Sequence, residues 1–273
     1  MTAASRPETG ETEAQDREPL TQPSKERLWE VDALRGVAII LMVIYHFTYD
    51  LDQFGDFDIG ANSGNWQRFA NLSASMFVIL VGVSLVLSYA RAKNQNSDEW
   101  PLIEKYLLRG MRIFGYGMLI TIVLWFVSPG GSIIFGILHL IGVSIILAYP
   151  FLRWPLAAVP VSAGLIILGM IIGYPQVEFP WLIWLGFRPE DIGTMFDYRP
   201  LIPWFGVALL GIVIGHWLYR KGTRQFRLPD LSHLAVVRVL SKLGQYSLGI
   251  YLIHQPVILV VLDVTGVIDL GIF

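Results

Sequence analysis

The sequence contains no cysteine, and only 15% of its 273 residues are charged. The lack of cysteine excludes disulfides, thiolate nucleophiles and metal sites built from cysteine ligands. A soluble domain carries about 25% charged residues, so the low charge, the 54% of hydrophobic residues and the mean hydropathy of +0.54 indicate a membrane protein. The net charge of −2 gives no sign of the basic surface that nucleic acid requires, and no nucleic-acid partner is expected.

Apolar runs of about the 20 residues that a spanning helix needs recur along the chain. They predict an all-α fold, a polytopic membrane helix bundle of about seven transmembrane helices. The predicted spans are residues 34–54, 69–90, 107–127, 132–150, 155–173, 200–220 and 244–262. Residues 1–26 are polar and lack apolar periodicity, which predicts a disordered cytoplasmic tail before a membrane domain at 27–273. The segment 174–199 is too polar and proline-broken to span, and is expected at the membrane interface.

The distribution of lysine and arginine predicts how these spans are oriented. With the N-terminus inside, 17 of the 20 basic residues fall in the tail and the inner loops. Only Arg68, Arg188 and Arg199 fall on the outer side. Because cytoplasmic loops carry an excess of Lys and Arg, we predict that the N-terminus is in and the C-terminus is out.

The first predicted span carries three ionisable residues in the stretch DALRGVAIILMVIYHFTYD. Arg35 and His46 are eleven residues apart, almost three helical turns, so they share one helix face about 16 Å apart. Asp50 follows His46 by one turn. Ionisable groups at membrane depth are costly and usually functional. We therefore predict that His46 acts as a catalytic base, with Asp50 holding its tautomer.

Arg109 and Arg112 stand one turn apart where the third predicted span enters from the inner side. Two guanidinium groups on one helix face suit a phosphate-bearing ligand, which each can bind through paired hydrogen bonds. Positive residues at the inner ends of spans are also expected from topology alone.

Five further residues are candidates for binding the substrate or for supporting the catalytic residues. They are Asp32, His139, Asp197, Tyr198 and His254. A hydrogen bond between helices is the alternative role for each intramembrane histidine. The histidines lack a close-spaced ligand motif such as HxxxH, so no metal is expected.

A family resemblance rests on four stretches, WEVDALRGVAIILMVIYHFTYDLDQFG, FGILHLIGVSIILAYPF, DYRPLIPWFGVALLGIVIG and LGQYSLGIYLIHQPVI. They resemble short prokaryotic members of the heparan-α-glucosaminide N-acetyltransferase catalytic-domain family, over about residues 27 to 262. The chain also resembles the wider transmembrane acyltransferases, whose hallmark is an arginine, ten residues and a histidine in the first span. Arg35 and His46 have that spacing, and Arg109 with Arg112 is similar to the basic motif of a later span.

The resemblance implies a multi-pass acyltransferase of the cell membrane that takes an acyl group from cytosolic acyl-CoA. The expected acyl group is acetyl, and the expected donor is acetyl-CoA. The acceptor is expected outside the cytosol and to be a sugar, a glycolipid or an envelope component. His46 is then the general base, and Arg35, Arg109 and Arg112 hold the CoA phosphates. In the lysosomal enzyme of the family an asparagine stands where His46 does, so the role of His46 follows the wider acyltransferase pattern. Other expected partners are the lipid bilayer and a second copy of the chain.

Two functions from other classes compete with acyl transfer. A proton-coupled transporter would relay protons through His46, His139 and His254, although the inverted repeats typical of many transporters are absent from the sequence. A membrane sensor or scaffold without catalytic activity would leave the polar residues of the first span unexplained.

Overall fold

Helices make up most of the chain in the computed structural model, which describes residues 28–55, 57–95, 98–127, 131–190, 194–195 and 197–269. The α-helices are α1 (Trp29–Phe54), α2 (Gly64–Gln95), α3 (Glu99–Val127), α4 (Ile137–Leu147), α5 (Tyr149–Arg153), α6 (Pro155–Ile172), α7 (Leu201–Leu218), α8 (Ala235–Gln245) and α9 (Ser247–Val264). The predicted all-α polytopic bundle is thereby confirmed. The predicted tail, residues 1–26, lies outside the described residues.

Six of the described helices are long and apolar enough to cross a membrane, and they correspond to six of the seven predicted spans. The fourth predicted span, residues 132–150, differs from the observed structure. Its helix α4 begins only at Ile137, because residues 131–132 form a two-residue strand instead. α4 has eleven residues and ends before Pro150, which lies in the short helix α5.

Together, α4 and α5 run antiparallel to the whole length of α3. Near the outer end, His139 of α4 lies against Gly117 of α3. At the other end, Arg153 of α5 forms an ion pair with Glu99, the first residue of α3. The chain therefore returns to the inner side between α3 and α6, as the predicted orientation requires. We name the two ends of the bundle inner and outer according to that orientation.

The inner end of α1 is locked to α8 by backbone contact. A Cβ atom added at Gly36 would lie 2.0 Å from the Leu240 carbonyl oxygen, and one added at Gly244 would lie 1.8 Å from that of Asp32. Only glycine permits such close packing of two helix backbones. α8 therefore lies directly against the first turns of α1, which carry the candidate residues Asp32 and Arg35.

The outer segment between α6 and α7 is irregular, as predicted for residues 174–199. Its strands have two residues each: β2 (Gln176–Val177) pairs in parallel with β3 (Arg188–Pro189), and β4 (Thr194–Met195) pairs in parallel with β1 (Gly131–Ser132), which lies between α3 and α4. A 3-10 helix covers Pro180–Leu185. The Tyr198 hydroxyl donates a 2.6 Å hydrogen bond to the Ile183 carbonyl. Burial raises the pKa of Tyr198, so this hydroxyl stays protonated and the bond persists at neutral pH.

Candidate functional site: a histidine pair between two polar ends

The inner end of α1 carries a connected polar network around Arg35. Its Nη1 donates to Asp32 Oδ1 at 3.0 Å, and its Nη2 donates to the Ser84 hydroxyl on α2 at 2.7 Å. Gln245 at the end of α8 donates to the other Asp32 oxygen at 3.3 Å. Asp32 is therefore the residue that orients Arg35, by an ion pair one helical turn away.

The network continues along α2 towards α3. One turn after Ser84, Ser88 accepts a 3.3 Å hydrogen bond from the buried Tyr106 hydroxyl. Arg109 follows Tyr106 by one turn on α3 and is half-buried. Arg35 and Tyr106 therefore contact α2 one turn apart, at Ser84 and Ser88, and Arg109 lies one turn beyond Tyr106. Arg112 is exposed on the surface of α3.

A second ion pair closes the inner end below Arg35. The Arg224 guanidinium donates from Nε and Nη2 to the two Glu30 oxygens, at 2.9 and 2.7 Å. Tyr219 donates to the same carboxylate at 3.4 Å. Glu30 is only 7% exposed, so this bidentate pair fixes the loop after α7 against the first turn of α1.

His46 lies further along α1, in its outer half, and its tautomer follows from its backbone contact. Its Nδ1 lies 2.9 Å from the Met42 carbonyl oxygen, which can only accept a hydrogen bond. Nδ1 must therefore carry the proton. In the neutral ring this leaves a free lone pair on Nε2, the form that a general base requires.

His254 on α9 packs against His46 and has the same tautomer. The two ring centroids are 4.7 Å apart, with the planes at 81°. His254 Nδ1 lies 2.7 Å from the Tyr251 carbonyl oxygen, so it too carries the proton. His254 Nε2 is buried and has no hydrogen-bond partner among the described residues.

Asp50 is fully buried but is held by α9, so the predicted pairing with His46 is not formed. Gln255 donates to Asp50 Oδ1 at 2.7 Å, while His46 Nδ1 is occupied by its own helix. Within the described part of the chain, Asp50 Oδ2 and Gln255 Oε1 have no hydrogen-bond partner. The spacing of one turn places both residues on the α1 face that contacts α9, but Asp50 accepts its hydrogen bond from Gln255 of α9 and not from His46.

Asp197 ties the outer segment to two helices above the histidine pair. It accepts a 2.9 Å hydrogen bond from the Tyr251 hydroxyl and a 3.2 Å bond from the Ile137 backbone N–H at the start of α4. Its backbone is in the left-handed region, with φ +49°. Arg199 Nε lies 3.6 Å from Asp197 Oδ1, and its Nη1 donates to Asn71 on α2 at 3.0 Å.

His139 lies beside this carboxylate but has the opposite tautomer. Its Nδ1 accepts a 3.2 Å hydrogen bond from the Gly136 backbone N–H, so the neutral ring carries its proton on Nε2. Its ring stacks on Phe135 and is buried. His139 is therefore a donor at the edge of the site. Tyr198 does not join the site, because its hydroxyl is bound to the 3-10 helix.

The sequence interpretation missed Tyr251, Gln255 and Arg199. Two of them had a readable signal, since Tyr251 lies one turn before His254 and Gln255 follows it directly. Arg199 lies outside any helical pattern, and only its folded contact with Asp197 identifies it. Among the described residues, no three His, Asp or Glu side chains are grouped as metal ligands.

Comparison with known proteins identifies the family. The family model described as heparan-alpha-glucosaminide N-acetyltransferase, catalytic, matches residues 27–256, a range that contains both histidines of the pair and all three candidate arginines. No curated protein and no solved structure matches the chain. The match covers most of the chain and confirms the resemblance seen in its four stretches. The chain therefore belongs to the heparan-alpha-glucosaminide N-acetyltransferase catalytic family, a family of transmembrane acetyltransferase type.

Proposed function

We propose that the protein transfers an acetyl group from acetyl-CoA on the inner side of the cell membrane to an acceptor on the outer side. The acceptor is a sugar, a glycolipid or another envelope component. The observation that carries the proposal is the tautomer of His46. It leaves the Nε2 lone pair free to accept a proton, on a residue of a helix that is long and apolar enough to span the membrane. The family membership supports the reaction class.

The two polar ends of α1 fit the two substrates. Arg35 and the half-buried Arg109 provide guanidinium groups on the inner side, where the phosphates of CoA are expected to bind. His46 lies about 16 Å further along α1, a distance that an extended thioester arm can bridge. CoA then stays on the inner side while its acyl group reaches the base.

His46 acts in both halves of the reaction. Its Nε2 takes the proton of the acceptor as the acceptor's oxygen or nitrogen attacks the thioester carbonyl carbon. The new bond to carbon forms, the carbon–sulfur bond breaks, and the thiolate of CoA takes the proton back from Nε2. The proton thus returns within one cycle, and no net proton crosses the membrane.

The proposal is tested with purified protein in liposomes. Labelled acetyl-CoA is supplied on the side of the inner arginines, with candidate acceptors on the other side, and a protonophore is added. We expect labelled product on the acceptor side, loss of thioester and no effect of the protonophore. Gradient-dependent movement of a solute without loss of thioester would instead establish a proton-coupled transporter.

A further inference from the structure

We propose that His254 is a positioning residue that acts through His46, by accepting the hydrogen bond of the His46 imidazolium formed during the reaction. The inference rests on the proposed function and adds a second histidine to it. The two rings are in contact, with centroids 4.7 Å apart, and they belong to different helices that pack side by side.

The tautomers of the two rings make them a matched pair. Both Nδ1 atoms are bound to carbonyl oxygens of their own helices, so both neutral rings have a free lone pair on Nε2. While both are neutral, neither Nε2 can donate to the other. Once His46 has taken a proton, its Nε2–H is a donor, and the bare His254 Nε2 on the adjacent ring is the acceptor for it, at a hydrogen-bond distance of about 3 Å.

The need for such an acceptor follows from burial. His254 is 8% exposed, and its Nε2 has no hydrogen-bond partner in the described residues. A buried polar atom without a partner lowers the stability of the fold, so its retention calls for an explanation. An imidazolium inside a membrane protein is also costly, and a hydrogen bond to a second imidazole spreads its charge over two rings. A single proton shared by the pair gives His254 Nε2 a hydrogen-bond partner and stabilises the His46 imidazolium.

The other charged and titratable groups around the pair come from three elements. Asp197 and Arg199 of the outer segment interact electrostatically with His46. The groups on the helices are Tyr45, Tyr49 and Asp50 of α1 and Tyr251 of α9. None of these groups is altered by a substitution at His254. A change in pH dependence on such a substitution therefore reports on the histidine pair itself.

The test compares His254→Phe with His254→Gln in the liposome assay. Phenylalanine keeps the ring contact and removes the acceptor, whereas glutamine keeps an acceptor oxygen. We expect His254→Phe to lower kcat at least tenfold with little change in KM for acetyl-CoA. The acid limb of its pH–rate profile should move to lower pH, because protonated His46 loses the partner that stabilises it. His254→Gln should restore part of the rate. His216→Phe, on α7, is the matched control and should leave the profile unchanged.

A second measurement does not depend on activity. ¹⁵N-histidine NMR of the protein in nanodiscs follows the protonation of His46 directly, and in the wild type it should show His46 protonated at higher pH than in His254→Phe. If the wild type transfers acetyl groups but the profile and the His46 titration are the same in His254→Phe, the inference is overturned while the proposed function stands. If the wild type transfers no acetyl group, the proposed function fails, and the NMR titration still decides whether the two rings share a proton.

Discussion

The two ends of α1 are both polar, but they differ in how completely their polar groups are paired. At the inner end, Glu30, Asp32 and Arg35 all have hydrogen-bonded partners on other helices or loops. At the outer end, buried atoms of Asp50 and of α9 have none among the described residues. Paired groups hold a structure in place, whereas each unpaired buried group costs stability and calls for an explanation.

This contrast assigns different tasks to the two ends. The inner network positions guanidinium groups and fixes α8 and the loop after α7, so its loss should affect stability and donor binding. The outer pair holds free lone pairs, so its loss should affect the chemical step. Substitutions at each end therefore separate binding, stability and turnover.

The largest expected effect is on turnover, from His46→Ala. Removal of a general base lowers the rate by about 100-fold to 10,000-fold, while acetyl-CoA should still bind, because the inner arginines are about 16 Å away. Turnover with labelled acetyl-CoA and equilibrium binding of the donor are measured side by side. His216→Ala, also within a long helix, is the control. Turnover of His46→Ala within a few-fold of the wild type would remove His46 from the role of base.

The next effect is on stability, from Glu30→Ala. This change leaves Arg224 without its bidentate partner, and breaking a buried pair costs about 3–5 kcal/mol. The Arg224 side chain is 24% exposed, so we expect the lower end of that range, about 3 kcal/mol. Denaturation in mixed micelles measures the free energy of unfolding. Glu178→Ala, at an exposed outer position, serves as control. Equal stability of the two variants would show that the pair does not hold the inner end together.

A smaller effect is expected on donor affinity, from Arg35→Ala. Loss of a charge-assisted hydrogen bond is worth about 1.5–3 kcal/mol, roughly a tenfold to 100-fold rise in the Kd of acetyl-CoA. Arg109→Ala should weaken binding less, and the exposed Arg112 least. Arg35→Lys should rescue poorly, because one ammonium replaces two guanidinium nitrogens that bind Asp32 and Ser84 separately. Unchanged affinity in all the alanine variants would place the donor site elsewhere.

The smallest effect is expected from Tyr198→Phe. It removes one hydrogen bond to the Ile183 carbonyl, worth about 1 kcal/mol of stability, and it should leave turnover close to that of the wild type. Thermal unfolding and the transfer assay together measure both quantities. A large loss of turnover with little loss of stability would instead show that Tyr198 takes part in binding the acceptor.

Much of the candidate site was accessible from sequence because it lies on one helix. Arg35 and His46 share a face by helical period alone, and the apolar composition places that face inside a bilayer. The same reasoning failed for Asp50, since period defines which face a residue occupies but not which neighbour its side chain meets. Gln255 comes from the far end of the chain, and no local pattern connects it with residue 50.

The sequence by itself determined that the protein is a polytopic helix bundle, to which family it belongs, and which histidine and arginines it carries in and beside its spans. These properties depend on composition, local periodicity and motif spacing, which a bilayer enforces residue by residue. Only the tertiary structure decided the contact of His46 with His254 and the link from Asp197 to Tyr251. Those contacts join residues about 50 to 200 positions apart, and they arise from the packing of whole helices against one another.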